Sequence, residues 1–137
     1  RSRLMRPRPD AAALLEAARQ ALRGEVLAAL PEDKRYEALM IANAMAIAAR
    51  VVERGAAPER EELERLARLM GEGSPGSTDP AAVRERLNDL YGRLGDELRS
   101  GKITPGGERH CAVHDHLRRA TLDRLRESNP RALPKKD

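Results

Sequence analysis

The sequence predicts an all-α protein, a single-domain bundle of about five helices with a buried, alanine-rich second helix. Alanine, leucine, glutamate and arginine, which are strong helix formers, are abundant along the chain. No stretch shows the strict alternation of apolar and polar residues that is typical of a half-buried strand. Phe and Trp are absent, so aliphatic side chains must form the core.

The 137 residues are enough for one domain with its own core. We expect a basic, flexible N-terminus over residues 1–9, a helical bundle over residues 10–131 and a C-terminal tail over residues 132–137. Four arginines and no acidic residue lie in the N-terminal segment, which accounts for the whole net charge of +4. Met5 is a candidate start residue, in which case residues 1–4 precede the natural protein.

Turn and capping residues divide the chain into five helical segments. The first begins at Asp10, a good N-cap residue, and ends before Pro31. The second runs to Gly55, a residue type that favours the C-terminal end of a helix. The third starts near Pro58 and runs to Gly71, and its early glutamates suit the positive end of the helix dipole.

The last two helices follow the clearest loop of the chain. Residues 71–79 are rich in Gly, Ser and Pro, which favour turns and resist regular structure. The fourth helix starts after this loop and closes at Gly101. The fifth runs over about residues 108–128 and stops before Pro130.

The second helix is the predicted centre of the bundle. Every residue from Ala38 to Ala49 is apolar except Asn43, and a helix that is apolar all round is usually buried. An unpaired buried amide would cost roughly 1–3 kcal/mol, so we expect Asn43 to hydrogen-bond to a neighbouring helix. The alternative is a polar contact in a ligand pocket or at a dimer seam.

The stretch ERHCAVHDHLRRA, residues 108–120, holds all three histidines and the only cysteine. At about 100° per residue, His110 and His114 point the same way, with Cys111 nearby, whereas His116 points away. A zinc site needs three or four protein ligands, so we predict no metal at His110, Cys111 and His114. Apolar residues share their face, and we expect half-buried structural histidines and a packed Cys111. A metal site and a catalytic Cys-His pair are the alternatives.

The composition argues against several classes of partner. A nucleic-acid-binding protein usually has a basic face with stacking aromatics, and this chain has two aromatic residues, Tyr36 and Tyr91. No apolar run approaches the roughly 18 residues that a membrane span needs. A single cysteine permits no intramolecular disulfide, which suits a reducing compartment. We therefore expect a cytoplasmic protein with no nucleic-acid or membrane partner.

Four segments resemble, in their order, an uncharacterised bacterial all-helical family. They are RPDAAALLEAARQALRGEVLAALP, YEALMIANAMAIAARVVERG, LRSGKI and LDRLRESNPRAL. The most specific pieces are the opening RPDAAALLEAA, the IANAMAI helix with Asn43, and the closing NPR of Asn129, Pro130 and Arg131. Genes of this family often lie beside aminoglycoside-phosphotransferase-like kinases and acyl-CoA dehydrogenases. The resemblance implies an accessory or partner role near acyl-CoA metabolism and assigns no catalytic residue.

No pattern places a nucleophile beside a base or a glycine-rich loop after a strand. The sequence therefore predicts a non-catalytic accessory or interaction protein, a homodimer without cofactor. The resemblance implies a phosphotransferase-like kinase or an acyl-CoA dehydrogenase as its partner enzyme. The alternative is a module that binds a small molecule, such as an acyl or CoA-like group. A third hypothesis is a metal-dependent enzyme that uses His110 and His114. The candidate ligand or interface residues are Tyr36, Met40, Asn43, Met45, Tyr91 and Arg131.

Overall fold

The computed structural model describes residues 9–73 and 75–135. Regular structure within these ranges is helical, without a strand, which confirms the all-α prediction. The basic N-terminus predicted over residues 1–9 lies, except for Pro9, outside the described residues. The domain boundaries predicted at residues 9 and 131 stay predictions.

Six α-helices follow one another along the described chain. They are α1 (Ala11–Ala21), α2 (Leu27–Ala29), α3 (Glu32–Arg54), α4 (Ala57–Leu69), α5 (Pro80–Arg99) and α6 (Glu108–Ser128). A π-helical segment, Leu22–Val26, joins α1 to α2, and a 3-10 helix, Pro130–Ala132, follows α6. If α1, this segment and α2 are taken as one interrupted helix, the five predicted segments are all present.

Local capping sets most of the helix ends where the sequence predicts them. The Asp10 carboxylate accepts a 2.9 Å hydrogen bond from the Ala13 N–H at the start of α1. Asp79 accepts one of 3.1 Å from the Ala82 N–H at the start of α5. These bonds satisfy N–H groups that have no partner inside the helix. Gly55 ends α3 with a φ of 63°, a conformation that glycine adopts without steric cost.

The first helix is interrupted, although the sequence predicts a continuous one. Gly24 lies inside the π-helical segment with φ −86° and ψ −111°, outside the helical region. Glycine has no Cβ to restrict the backbone and is a weak helix former, so the interruption falls where the helix is least supported. α2 then extends for three residues before Pro31.

The helices form two compact units, which are described separately. The first contains the residues up to Gly55 together with those from Arg126 onward. Its main packing is between α1 and α3. The second unit is Ala56–Leu125, in which α4 packs against α5.

The second unit contains the aliphatic core. Leu66 and Leu90 have no exposed surface, and Leu63, Leu87 and Leu94 are also buried. The remaining buried members of this cluster are Ala67, Val83, Ile103 and Val113. Leucines at i and i+3 or i+4 place this stripe on one face of α4 and of α5.

The prediction that the second helix is buried is wrong. Of α3, only Ala38 and Ala42 are buried. Met40 is 53% exposed and Ile41 51% exposed, and Leu39 is exposed as well. The reason is that α1 covers one side of α3, so the large side chains on the other side meet solvent. An apolar surface of this kind can belong to a core or to an interface, and sequence alone does not separate the two.

Within the described ranges, none of the helices combines the length and the apolar character that are needed to span a membrane.

Replacing Leu66 by alanine should destabilise the protein by about 2–5 kcal/mol, because Leu66 is 0% exposed and its removal leaves a cavity in the core. Leu98→Ala is the matched control, since Leu98 lies on α5 with 45% of its surface exposed, and it should cost less than about 1 kcal/mol. Urea unfolding monitored by circular dichroism measures both changes. Equal losses in the two variants would contradict this assignment of the core.

Candidate functional site

A cavity of about 740 Å³ lies within the first unit and is called the first-unit cavity below. The lining residues belong to α1 and its N-cap, to the π-helical segment, to α3, and to the end of α6 with the residues that follow it. They are Asp10, Ala12, Ala13, Glu16, Arg19, Arg23, Asn43, Ala46, Ala49, Arg50, Glu53, Ser128, Asn129, Pro130 and Arg131. Its volume falls in the range of roughly 300–1,000 Å³ that is usual for small-molecule sites.

The C-terminal end of α6 is tied to α3 beside this cavity. Arg50 donates from Nε to the main-chain oxygen of Glu127 at 2.5 Å. Arg54 Nη1 lies 3.1 Å from Oε1 of the same glutamate. The last carbonyl groups of a helix have no partner inside it, and a basic side chain can bind them and offset the negative end of the dipole. These contacts place Ser128–Arg131 at the cavity wall.

The three most specific pieces of the family resemblance contribute residues to the first-unit cavity. Asp10 and Glu16 come from RPDAAALLEAA, and Asn43 comes from IANAMAI. Arg131, the last residue of the closing NPR, lies 88 positions after Asn43 in the chain. Segments this distant in sequence therefore contribute side chains to one concave surface.

The charges of the cavity wall leave an excess of positive charge. Arg19 donates to Glu16 from Nε at 2.8 Å and from Nη2 at 2.5 Å, and these hydrogen bonds lower the pKa of the Glu16 carboxyl. Asp10 is engaged in capping α1. The lining residues include four arginines, Arg19, Arg23, Arg50 and Arg131, and three carboxylates, Asp10, Glu16 and Glu53, so one positive charge is in excess. This wall favours a ligand with a negatively charged group.

The apolar part of the wall consists of small side chains. Four alanines and Pro130 provide it, with Ala46 and Ala49 on α3. Their short side chains leave the space that a ligand would fill but offer little surface for a long hydrocarbon chain. The lining therefore suits a polar molecule better than an acyl chain.

The candidate ligand or interface residues predicted from the sequence do not all lie at one site. Asn43 and Arg131 meet at the first-unit cavity. Met40 and Tyr36 lie exposed on α3, and Met45 is half-buried there without lining the cavity. Tyr91 belongs to the second unit.

The expectation that Asn43 is buried and bonded to a neighbouring helix is wrong. Asn43 is exposed, and its side chain makes no hydrogen bond within the described residues. The cause is the one given for α3 as a whole, since the packed face of that helix contains Ala38 and Ala42. The alternative, a polar contact in a ligand pocket or at a dimer seam, stays a prediction, and Asn43 lines the first-unit cavity.

The histidine cluster is oriented differently from the prediction. His110, Cys111 and His114 are exposed, whereas His116 is only 7% exposed. The buried face of α6 follows Val113, His116 and Ala120, at spacings of three and four residues. The face predicted from the sequence also included Val113 but was centred on His110, His114 and Leu117, and Leu117 proves to be exposed.

His116 belongs to a chain of hydrogen bonds in the second unit. Its Nε2 lies 2.9 Å from the hydroxyl of Tyr91, and that hydroxyl donates to the carboxylate of Glu62. Arg124 donates to the same Glu62 oxygen at 2.9 Å. Burial lowers the pKa of His116, and the nearby charge of Arg65 lowers it further, so the imidazole is neutral at physiological pH. Burial also raises the pKa of Tyr91, with Glu62 adding to the effect.

Among the residues that the structure describes, no group of three or more His, Cys, Asp or Glu side chains is arranged to hold a metal ion. His110, Cys111 and His114 therefore do not form such a group. The absence of metal from the isolated protein stays a prediction.

Sequence reasoning did not identify three arginines of the cavity wall, Arg19, Arg23 and Arg50. A signal was nevertheless present in their spacing. Arg19 and Arg23 follow Glu16 at three and seven positions, and Arg50 follows Asn43 at seven, which are the spacings of one helical face. A polar helix face is also typical of a helix that is simply exposed to solvent. The spacing therefore indicates a site only once the structure shows that the polar face of α1 and that of α3 line one cavity.

Comparison with known protein families gives one finding. The family model described as "Domain of unknown function (DUF6285)" matches residues 28–132. Neither the comparison with curated proteins nor the comparison with solved structures gives a match.

The stability of the protein should fall as the pH is lowered below about 6.5, the ordinary pKa of histidine. His116 has a lowered pKa in the fold, so the unfolded chain binds more protons in this window and is favoured. His116→Gln removes the titrating group and should reduce the slope of unfolding free energy against pH between 7.5 and 5. His114→Gln, at an exposed position, should keep the wild-type slope. A His116→Gln slope equal to that of the wild type would contradict the prediction.

Proposed function

We propose that this chain, which belongs to the DUF6285 family of domains of unknown function, is a non-catalytic binding protein of the bacterial cytoplasm whose ligand occupies the first-unit cavity. The observation that carries the proposal is the convergence of RPDAAALLEAA, IANAMAI and NPR on that cavity. Segments that only maintain the fold have no need to meet at a concave polar surface. A binding site, by contrast, requires side chains from several segments to meet at one such surface.

The side chains that line the first-unit cavity indicate the chemical class of its ligand. Arg23, Arg50 and Arg131 suit the oxygens of a phosphate or carboxylate, which arginine can bind through two parallel hydrogen bonds. The Asn43 amide can both donate and accept, so it suits an amide or hydroxyl of the same molecule. A CoA-like molecule offers phosphates and amides together, and its polar part matches this wall better than its acyl part.

Coenzyme A at millimolar concentration should raise the thermal unfolding midpoint by a few degrees, because a ligand that binds only the folded state stabilises it. Arg131→Gln should weaken binding by about tenfold or more, since a hydrogen bond to a charged group is worth roughly 1.5–3 kcal/mol. Arg118→Gln is the matched control, because Arg118 is exposed on α6 and does not line the cavity. Nucleotides and short acyl-CoAs serve as further probes. If none of these compounds raises the midpoint, or if Arg131→Gln responds like wild type, the proposal fails.

A second candidate function is pairing with another protein through α3. The observation that favours it is the exposed apolar surface formed by Tyr36, Leu39, Met40, Ile41, Val51 and Val52. Among the described apolar side chains of the first unit, only those of Ala38 and Ala42 are buried, so a second copy of the chain that covers α3 would supply the burial that this unit lacks. The chain would then be a homodimer, the state expected from the sequence. The enzyme that the resemblance implies, a phosphotransferase-like kinase or an acyl-CoA dehydrogenase, is the other occupant to be tested.

Light scattering coupled to size-exclusion chromatography should give a mass twice that of one chain. Ile41→Glu places a charge at the centre of the exposed surface of α3 and should shift the protein to monomer, because a buried unpaired charge opposes association. Leu98→Glu changes an exposed leucine of the second unit and should leave the dimer intact. A monomeric wild type would exclude the homodimer. Co-elution of that monomer with a purified acyl-CoA dehydrogenase would assign the surface to the enzyme.

A further inference from the structure

One side of α3 carries a row of residues at alternating spacings of three and four, which is called the α3 stripe below. Its members, in chain order, are Glu37, Met40, Ala44, Ile47, Val51 and Arg54. Met40 is 53% exposed and Val51 42% exposed, Ala44 is exposed, and Ile47 is half-buried. Such a heptad repeat of apolar residues is the pattern through which two helices pack along their length. The α3 stripe therefore indicates a partner helix.

The apolar part of the α3 stripe is complementary to its own reverse. When two copies of α3 run antiparallel, Met40 of one copy lies opposite Val51 of the other, and Ala44 lies opposite Ile47. A small side chain then faces a large one at the centre of the pair, which fills the space evenly. In a parallel pair each residue faces its own copy, so the Ala44 layer is underfilled beside the bulkier layers of Met40 and Ile47.

The charged ends of the α3 stripe also favour the antiparallel orientation. The register that pairs Met40 with Val51 places Glu37 of one copy opposite Arg54 of the other, whereas a parallel pair sets each charge against its own copy. Glu37 lies 3.6 Å from Lys34 at an exposed position, and Arg54 lies 3.1 Å from Glu127. A guanidinium has five N–H donors, so Arg54 can bind a second carboxylate. Opposite charges at the edges of paired helices set their orientation.

The α3 stripe and the first-unit cavity occupy different sides of α3. The residues of this helix that line the cavity are Asn43, Ala46, Ala49, Arg50 and Glu53. At about 100° per residue, their mean direction is turned by roughly 130° from that of the α3 stripe. A partner helix on the stripe therefore does not occupy the cavity, and each copy keeps its own cavity for a ligand.

We propose that two copies of the chain pair through their α3 stripes in an antiparallel arrangement. Met40 of each copy packs against Val51 of the other, and Glu37 of each copy binds Arg54 of the other. This inference rests on the homodimer proposed above and assigns its orientation and register.

Disulfide cross-linking of the full chain tests this register, with the free, exposed Cys111 replaced by serine in every variant. A disulfide requires Cα atoms about 4.4–6.8 Å apart. The double variant Met40→Cys/Val51→Cys should form covalent dimers under mild oxidation. Each single variant should not, because residues 40 and 51 are eleven positions apart, so each lies roughly 16 Å along the pair from its own copy. Ala46→Cys, near the middle of α3 but on the cavity side, is the control and should not cross-link.

The possible failures of this experiment are distinct. Cross-linking of Met40→Cys alone would indicate a parallel pair and overturn the proposal. A double variant that is a dimer by light scattering but does not cross-link would overturn the arrangement and leave the homodimer standing. A wild-type chain that is monomeric by light scattering would overturn both.

Reversing one end charge tests the orientation without cysteines. Glu37→Arg should raise the dissociation constant of the dimer by roughly threefold or more, because an exposed ion pair becomes a repulsion at both ends of the pair. Glu32→Arg makes the same charge change on a different side of α3 and should leave the constant near that of the wild type. Analytical ultracentrifugation over a range of concentrations measures both constants. In a parallel pair Glu37→Arg would replace one like-charge contact by another, so an unchanged constant would overturn the proposal.

Discussion

The hydrogen bond from Arg50 to the main-chain oxygen of Glu127 is the contact on which the first-unit cavity depends. A helix ends with carbonyl groups that have lost their internal partners, and a guanidinium placed there satisfies one of them while offsetting the dipole. Because Arg50 stands on α3, this bond brings the residues after α6 against α3. Asn129, Pro130 and Arg131 then form a cavity wall instead of a free tail.

The two units use their side chains in different ways. The second unit buries leucines such as Leu63, Leu66 and Leu90, and these supply its aliphatic core. The first unit packs α1 against α3 through alanines, which bring helices close but bury little apolar area. Where the alanines end, charged side chains from both helices surround open space. A fold built for stability alone would fill such a space with larger apolar groups, so the sparse packing of the first unit supports a binding role.

The sequence predicts the elements better than it predicts the burial of their faces. Asp10, Asp79 and Gly55 act through their immediate neighbours, so helix ends can be read from local chemistry. Burial depends on distant segments. The apolar run of α3 looked like a core helix because sequence does not reveal that α1, the π-helical segment and α2 pack on it and leave its large side chains exposed. His116 looked turned away from the core because its partner Tyr91 lies on another helix. Asn43 and Arg131 were recognised as candidates separately, but only the folded chain shows that they share a cavity.

Amide chemical-shift mapping of the labelled protein with coenzyme A tests whether the first-unit cavity binds a ligand. We predict that the largest, saturable changes cluster at Asn43, Ala46 and Asn129 to Arg131, which line the first-unit cavity from two distant parts of the chain. Changes confined to other surfaces of the described chain, or the same changes in Arg131→Gln at the same concentration, would contradict it.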